Sequence, residues 1–477
     1  MKNLLPHFIV ENYVQGILEG SFEAATVLVD ISGFTGMTES LMIRGDDRAE
    51  VLSSILNNLF TAIVGTIYQR GGFISTFAGD AFTAIFTSAY LHHALFCADK
   101  IRHIFQTQGI QKTRFGTFTL EARIGLSFGS VEWGIVGKRE RGYFFRGPAI
   151  ERCVLAEREC ASGEIVLDAR IVDRMPDWFD FRTEECVSGF HRLVNLTLPD
   201  SELPDLPRRP RLTTEIASQF LPDSIVNFNQ QGEFRNAVSV FISFHGIESK
   251  SELDAFVSIL IDHCIQFSGY FNKIDYGDKG AVVLVVFGAP ISFENNAERA
   301  LDFILAVKND VENSPLLSKM TLRSGITYGK VFAGIIGGQE RCEYTIIGDI
   351  VNQAARFMMA AQDGQIWVTR RINRYVHEQY HLKYLGEFFF KGKTKAVDAY
   401  RLIKSRDQRR PFFEGRMIGR QSEFEQLLTF SKPLFQDQFA GIIYIYGEAG
   451  MGKSRLAFEL IQQLMNLQEI KWFVCPA

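Results

Sequence analysis

A chain of 477 residues predicts two to four domains, at about 100–200 residues each. Its 46% hydrophobic and 22% charged residues are those of an ordinary globular protein, and 51 basic against 55 acidic side chains argue against a nucleic-acid-binding face, which should be basic. Seven scattered cysteines without a C-x-x-C pair point to neither a disulfide framework nor a zinc site, and fit a reducing cytoplasm.

The N-terminal stretch Met1–Gly20 carries acidic and polar residues and lacks the basic start and small-residue cleavage site of a signal peptide. The longest apolar run lies around Val282–Ile291, far short of the roughly 20 residues that span a bilayer, so a soluble protein without a membrane span is expected. The first predicted strand is the apolar run Ala25–Asp30. A helix with apolar residues at three- and four-residue spacing covers Asp47–Tyr68, and a hairpin arm, Ala81–Phe86, follows the turn Ala78-Gly79-Asp80. Two further strands run from Arg123 to Gly129 and from Val131 to Gly137. Then come Tyr143–Gly147, a helical pattern, and Gly163–Val166.

All of this recurs. Gly125, Gly129, Gly134 and Gly137 reappear as Gly325, Gly329, Gly334 and Gly337, at a constant offset of 200 (325 − 125). Tyr143–Gly147 matches Tyr344–Gly348, Gly163–Val166 matches Gly364–Trp367, and Ala25–Asp30 matches Ala237–Ile242, with a second helix expected over Ser251–Phe267. A repeat this long is a duplicated domain. Each copy reads as an α/β (α+β) sandwich with a mostly antiparallel sheet. The proline-rich stretch from Pro199 to Pro222 reads as a linker, and a second break falls near Ser405–Gly415. The expected domains are 1–198, a linker 199–230, 231–405, and a segment 412–477.

Asp30 ends an apolar strand and Asp80 sits in a tight turn. In a ferredoxin-like arrangement the two strands are neighbours, and both carboxylates converge at one sheet edge. With a backbone carbonyl, that of Ile31, they suit Mg²⁺ or Mn²⁺, hard ions that take oxygen ligands. The loop Ile31-Ser32-Gly33-Phe34-Thr35-Gly36 precedes a helix and offers backbone N–H groups to phosphates, those of Phe34 and Thr35 among them. Either aspartate alone is more simply a strand-end cap or a turn residue.

The runs Val29-Asp30-Ile31-Ser32-Gly33-Phe34-Thr35 and Phe77-Ala78-Gly79-Asp80-Ala81 resemble the metal-binding motifs of class III adenylyl/guanylyl cyclases, and the similarity extends over both copies, from about Ala24 to Ile403. The tandem arrangement resembles the soluble, bicarbonate-responsive adenylyl cyclases. This resemblance implies two ferredoxin-like cyclase domains in a pseudo-twofold intramolecular dimer, with no homodimer needed for the active site. It also implies two metal ions bound with ATP.

The second copy carries what the first lacks. By resemblance, Lys273 and Thr345 take the purine-recognising positions, Asn352 orients the ribose, and Arg356 stabilises charge on the reacting phosphate. Lys391 matches a lysine near the triphosphate, with Lys393 close by. Asn352 and Arg356, four apart, share one helix face. A lysine that donates to adenine N1 and a threonine that accepts from the N6 amino group favour ATP over GTP. The implied activity is conversion of ATP to 3′,5′-cyclic AMP and pyrophosphate. The alternatives are a guanylate cyclase and a catalytically silent signalling scaffold. The second composite site is expected to be dead: Thr76, Glu151 and Leu155 stand for the lysine, asparagine and arginine. Ile242 stands for Asp30, and Asp278 lies one residue out of register. Thr76 and Val154 fall where the relatives hold bicarbonate, which argues against bicarbonate activation.

Gly447-Glu448-Ala449-Gly450-Met451-Gly452-Lys453-Ser454 fits the P-loop pattern between the apolar run Gly441–Tyr446, an expected strand, and the helical run Arg455–Leu467. Backbone amides at Gly447, Gly450 and Gly452 would cradle phosphates, Lys453 would reach them, and Ser454 would bind Mg²⁺. Ile418–Glu423 resembles the entry to STAND/AAA-type ATPase modules. No Walker B strand follows before Ala477, so the segment is expected to be the front of a longer protein, unable by itself to hydrolyse ATP.

Overall fold

A computed structural model describes residues 2–477 apart from 43–46, 176–179, 198–202, 231, 278, 391–395, 407–416, 418, 437, 447–452 and 468–477. The first copy begins with helix α1 (His7–Val14), strand β1 (Glu19–Ser32), α2 (Phe34–Met42), α3 (Asp47–Tyr68) and the hairpin β2 (Phe73–Ala78) and β3 (Ala81–Thr87). It continues through α4 (Leu91–Gln108), the small hairpin β4 (Ile110–Thr113) and β5 (Gly116–Thr119), the long β6 (Glu121–Val136), β7 (Gly142–Arg146) and α5 (Pro148–Arg158). It closes with β8 (Ile165–Asp168), α6 (Ala169–Val172), β9 (Phe181–Val187) and β10 (Phe190–Leu196). Its sheet runs β2-β3-β1-β6-β8-β10-β9, with β7 paired to β6. Among the described residues of this sheet, only the β6–β8 pairing is parallel.

Two one-turn helices, α7 (Thr214–Ala217) and α8 (Asp223–Val226), follow. Ala217, Phe220 and Ile225, in and between them, are buried against the core of the first copy, so the end of the proline-rich connection from Leu212 onward is packed. The second copy comprises β11 (Glu233–His245), α9 (Lys250–Phe267), β12 (Tyr270–Gly277), β13 (Gly280–Phe287), α10 (Asn296–Glu312), β14 (Thr321–Gly337), β15 (Cys342–Ile347) and α11 (Asp349–Ala360). It ends with β16 (Ile366–Thr369), α12 (Arg370–Val376), β17 (Tyr380–Phe388) and β18 (Val397–Ser405). Its sheet order, β12-β13-β11-β14-β16-β18-β17 with β15 off β14, repeats the first strand for strand.

The recurring glycines have a packing reason. A Cβ on Gly125 would sit 2.4 Å from the Cys153 carbonyl, and one on Gly325 would sit 2.2 Å from the Ala354 carbonyl. Both glycines let a helix, α5 or α11, lie directly on the long central strand. The last turn of α5 reaches the Asp30 end of β1, where Glu157 pairs with Arg123, and α11 starts directly after β15, which carries Thr345.

Helix α3 is long and apolar enough to cross a bilayer, although polar residues interrupt its apolar run. Its face bearing Leu52, Leu56, Leu59, Phe60, Ile63 and Ile67 is instead core. That core continues into the second copy through Val331, Phe332, Ile336, Tyr344 and Ile346, so the two copies share one hydrophobic interior.

By contacts the chain divides into Met1–Lys404 and Ser405–Ala477. In the second unit, α13 (Gln421–Ser431) and α14 (Lys453–Leu467) pack through Leu427, Leu456, Leu460 and Leu464. The expected strand Gly441–Tyr446 is not formed: its residues are irregular, and Ile442 is 92% exposed. A strand exists only through its ladder, and none of the described residues pairs with it. Lys453 opens α14. Gly447, Gly450 and Gly452 lie outside the described residues, as does the side chain of Ser454.

Candidate functional site

The carboxylates of Asp30 and Asp80 are brought together as expected. Asp30 stands near the end of β1, paired across the ladder with Ala81, the first residue after the turn that holds Asp80. Asp80 is largely withdrawn from water, and burial followed by the charge of Asp30 pushes its pKa up to about 7. Two facing carboxylates are a donor set short of a cation, and oxygen donors are those that Mg²⁺ and Mn²⁺ prefer. Among the described residues no group of three or more His, Cys, Asp or Glu could hold a metal, so any ion here would draw on this pair, the Ile31 carbonyl and its own ligands. Asp30 Oδ2 also accepts from Arg123 Nη2, and Arg123 pairs with Glu157 at 3.0 Å. The Thr35 hydroxyl donates to Asp80 Oδ2 at 3.4 Å. Phe34 is 1% exposed, so its ring is core and only its backbone can face a ligand.

These groups adjoin the second copy. A cavity of about 80 Å³ is lined by Ala78 and Gly79 of the first copy together with Lys273, Lys279, Thr345 and Asn352 of the second. A smaller one, about 20 Å³, is lined by Phe34, Thr35 and Asp80 with Gly348, Asp349 and Asn352. Gly79, Ile346, Val351 and Asn352 line both, making them two parts of one cleft. Lys279 reaches across far enough to draw the Asp80 pKa partly back down. Arg356 lies one turn past Asn352 on α11 and lines neither part. Its Nη1 is shielded from solvent without a hydrogen-bond partner. Lys391 and Lys393 lie outside the described residues. A groove of about 580 Å³ elsewhere, between α3, Pro204–Pro207 and Glu340, contains none of the expected site residues.

Two functional-looking residues escaped sequence reasoning. Lys273 Nζ donates to Glu343 Oε1 at 2.6 Å and to the Phe77 carbonyl of the first copy. Glu343 in turn accepts from the fully buried Arg341 at 3.0 Å. A glutamate two residues before Thr345 on an otherwise apolar strand was the available signal.

The register corrects one expectation. Leu28 pairs with Gly125 and Phe241 with Gly325, so Ser243, not Ile242, occupies the place of Asp30. Side chains alternate along a strand, so the one-residue slip puts Ile242 on the opposite, core face, where it is 0% exposed. No carboxylate stands there in either register. Thr76 does match Lys273: both follow an identical bulge, between Ile74 and Thr76 and between Phe271 and Lys273. Asp278 lies outside the described residues.

The pseudo-symmetric second site is filled. Its remnant, about 20 Å³, is lined by Thr76, Tyr143, Phe144 and Tyr276. Phe144, at the position of Thr345, lies 5.7 Å from the Tyr276 ring. Nearby arginines are committed: Arg146 to Glu132 at 2.9 Å, and Arg152 in a fork to the buried Asp168 at 2.8 and 2.9 Å. Val154 is 8% exposed.

Comparisons accord with this geometry. Residues 238–404 match the family model for the adenylate and guanylate cyclase catalytic domain. Adenylate cyclase type 10 of Oryctolagus cuniculus is 26% identical over 515 residues, and that of Homo sapiens 25% over 509; each alignment covers 92% of this chain. The chain spans only 30% of the length of these relatives. A class III adenylyl cyclase-like ATP-binding protein from Pseudomonas aeruginosa superimposes with a TM-score of 0.52 at 12% identity, over 75% of this chain and 85% of that one. Both copies thus have the class III cyclase fold, and residues 238–404 are similar to its catalytic domain.

Proposed function

We propose that the chain is an adenylate cyclase, converting ATP to 3′,5′-cyclic AMP and pyrophosphate at one composite site between its two copies. The observation that carries this is the single cleft: Thr35, Gly79 and Asp80 from the first copy line it together with Lys273, Thr345 and Asn352 from the second.

Asp30, Asp80 and the Ile31 carbonyl are the groups that would hold two Mg²⁺ or Mn²⁺ ions. Such ions, when bound, act as Lewis acids on the ribose 3′-oxygen and the phosphates. The chain's own residues position the rest. Backbone N–H groups at the start of α2, where Phe34 and Thr35 stand, face the phosphates. Lys273 and Thr345 present a donor and a hydroxyl acceptor to the purine edge, a pattern complementary to adenine N1 and N6. Asn352 holds the ribose with its 3′-oxygen in line with the α-phosphorus, and Arg356, one turn on, whose Nη1 has no hydrogen-bond partner, brings its guanidinium to where charge develops as pyrophosphate leaves. Lys391 completes the triphosphate contacts. In this reading the intramolecular pair suffices, the chain works in the cytoplasm, and Gly447–Ser454 is a P-loop that binds nucleotide. The filled second site argues against activation by bicarbonate there.

The deciding experiment is cyclic nucleotide production by the purified chain from ATP or GTP with Mg²⁺ or Mn²⁺, beside Asp30→Ala. Cyclic AMP from ATP, lost in the variant, supports the reading. Cyclic GMP from GTP in its place makes the chain a guanylate cyclase, and no product under any condition makes it a silent scaffold.

A further inference from the structure

The purine end of the cleft contains a charge relay that the reading above leaves without a role. Lys273 leaves the β12 bulge with its ammonium bonded to Glu343 Oε1 at 2.6 Å and to the Phe77 carbonyl. Glu343 Oε2 is held by Arg341 Nη2 at 3.0 Å. Arg341, 0% exposed, is anchored by the Leu4 carbonyl at 2.7 Å, the Tyr143 hydroxyl at 3.0 Å and the Cys342 carbonyl.

We propose that Glu343 is a positioning residue for purine selection: anchored by Arg341, it fixes the direction of the Lys273 ammonium and thereby the preference for adenine over guanine. This rests on the cyclase reading. A lysine is a flexible four-carbon stem with three equivalent donors. With two of them bound, to the glutamate on one side and to the neighbouring copy's carbonyl on the other, the third points in one direction. A fixed donor suits a ring nitrogen that accepts, as in adenine N1, and meets a clash of donors at guanine N1–H. Without Glu343, the ammonium also loses its counter-charge in a site shielded from water.

Two further observations favour selection over mere packing. Glu343 and Thr345 are two apart on β15, so one face of one strand presents both the anchor of the lysine and the second purine contact. In the first copy the pair is lost together. Gly142 stands at the Glu343 position, opposite Val136 as Glu343 is opposite Ile336, and Thr76 stands at the Lys273 position. The filled site keeps neither member.

The test is calorimetric binding of the α,β-methylene analogues of ATP and GTP, with Mg²⁺, to the whole chain and to its Glu343→Gln, Lys273→Met and double variants. Glu343→Gln should weaken the ATP analogue about tenfold and the GTP analogue less than about threefold, since a charge-assisted bond is lost only for the former. The double variant should bind no more weakly than Lys273→Met alone, because the glutamate acts through the lysine. Glu343→Asp keeps the charge beside Arg341 but withdraws it from Lys273, and carries the same expectation should Glu343→Gln fail to fold. Equal weakening of both analogues, or losses that add in the double variant, would overturn the inference while leaving the cyclase reading intact. A wild-type chain that binds neither analogue would overturn both.

Discussion

Arg341 offers the sharpest energetic test of how the two copies are joined. Substitution by methionine keeps most of the side-chain volume and removes the guanidinium. The structure assigns that group four bonds: to the Leu4 and Cys342 carbonyls, the Tyr143 hydroxyl and Glu343. Tyr143 belongs to the first copy and Leu4 to the N-terminal segment, so a single variant disconnects three parts of the chain. All of it happens at a site with no exposed surface. Breaking a buried pair by removing one partner costs about 3–5 kcal/mol, because the remaining charge stays buried. With an unfolding entropy of roughly 2 cal/mol/K per residue over the first unit, this corresponds to a melting temperature lowered by about 4–6 °C. Scanning calorimetry on the whole chain reads it directly. Adding Glu343→Gln should cost less than the two single losses summed, since both remove the same pair. A loss under about 1 °C for Arg341→Met would mean that the buried guanidinium does not join the copies, and the reasoning would fail.

The other predictions follow from equally local features. His7 is packed edge-on to Tyr68 at 5.4 Å and Phe73 at 5.7 Å, and burial, then the charge of Arg209, lower its pKa to about 3. The unfolded chain takes up this proton near pH 6.5 and the folded chain does not, so stability falls as pH drops through that window, by about 2 kcal/mol between pH 7 and 5. His7→Phe should flatten that part of the pH–melting profile, and an unchanged slope would refute it. Gly325→Ala and Gly125→Ala both force a Cβ into a helix carbonyl and should each destabilise by about 1–3 kcal/mol. Only Gly325→Ala displaces the helix that carries Asn352 and Arg356, so it alone should lower cyclic AMP production beyond the effect of instability. Comparison of kcat at a temperature where both variants are folded checks this. Asp80→Ala should abolish product, by about a hundredfold or more, and raise the melting temperature in EDTA by removing the repulsion from Asp30.

Much of this was readable in the sequence, for identifiable reasons. The glycines at constant offset are positions where any Cβ meets backbone, so the pattern survives where surface residues drift. Asp30 and Asp80 were legible because each ends or turns a strand, and the ladder fixes where such residues go. The first strand of the second copy was misaligned by one because it has no glycine to mark it. Hydrophobic residues on both faces of a central strand leave no alternation to set the register. Residues 441–446 look like a strand in composition, yet a strand needs a partner and composition does not supply one. The link between Lys273 and Glu343 spans 70 residues, and nothing local announces it.

The duplication explains why the cleft is asymmetric. A pseudo-twofold pair makes two sites, each needing carboxylates from one copy and purine contacts from the other. A change in the first copy's purine strand harms only one site, and so does a change in the second copy's metal strand. Here both kinds of change fall on the same site: Ser243 at the metal end, Thr76, Gly142 and Phe144 at the purine end. What fills that site is aromatic. The Phe144 and Tyr276 rings, 5.7 Å apart, are flanked by Arg146, whose guanidinium lies 5.4 Å from one ring centre and 5.9 Å from the other. Ring pairs of this kind contribute about 0.5–1.5 kcal/mol beyond the area they bury. Losing one cleft therefore strengthens the interface on which the other depends. The surviving cleft draws a residue into each side of that interface, with Lys273 reaching the Phe77 carbonyl three residues before Asp80. A filled site on one side of the pseudo-axis holds the open cleft on the other in register.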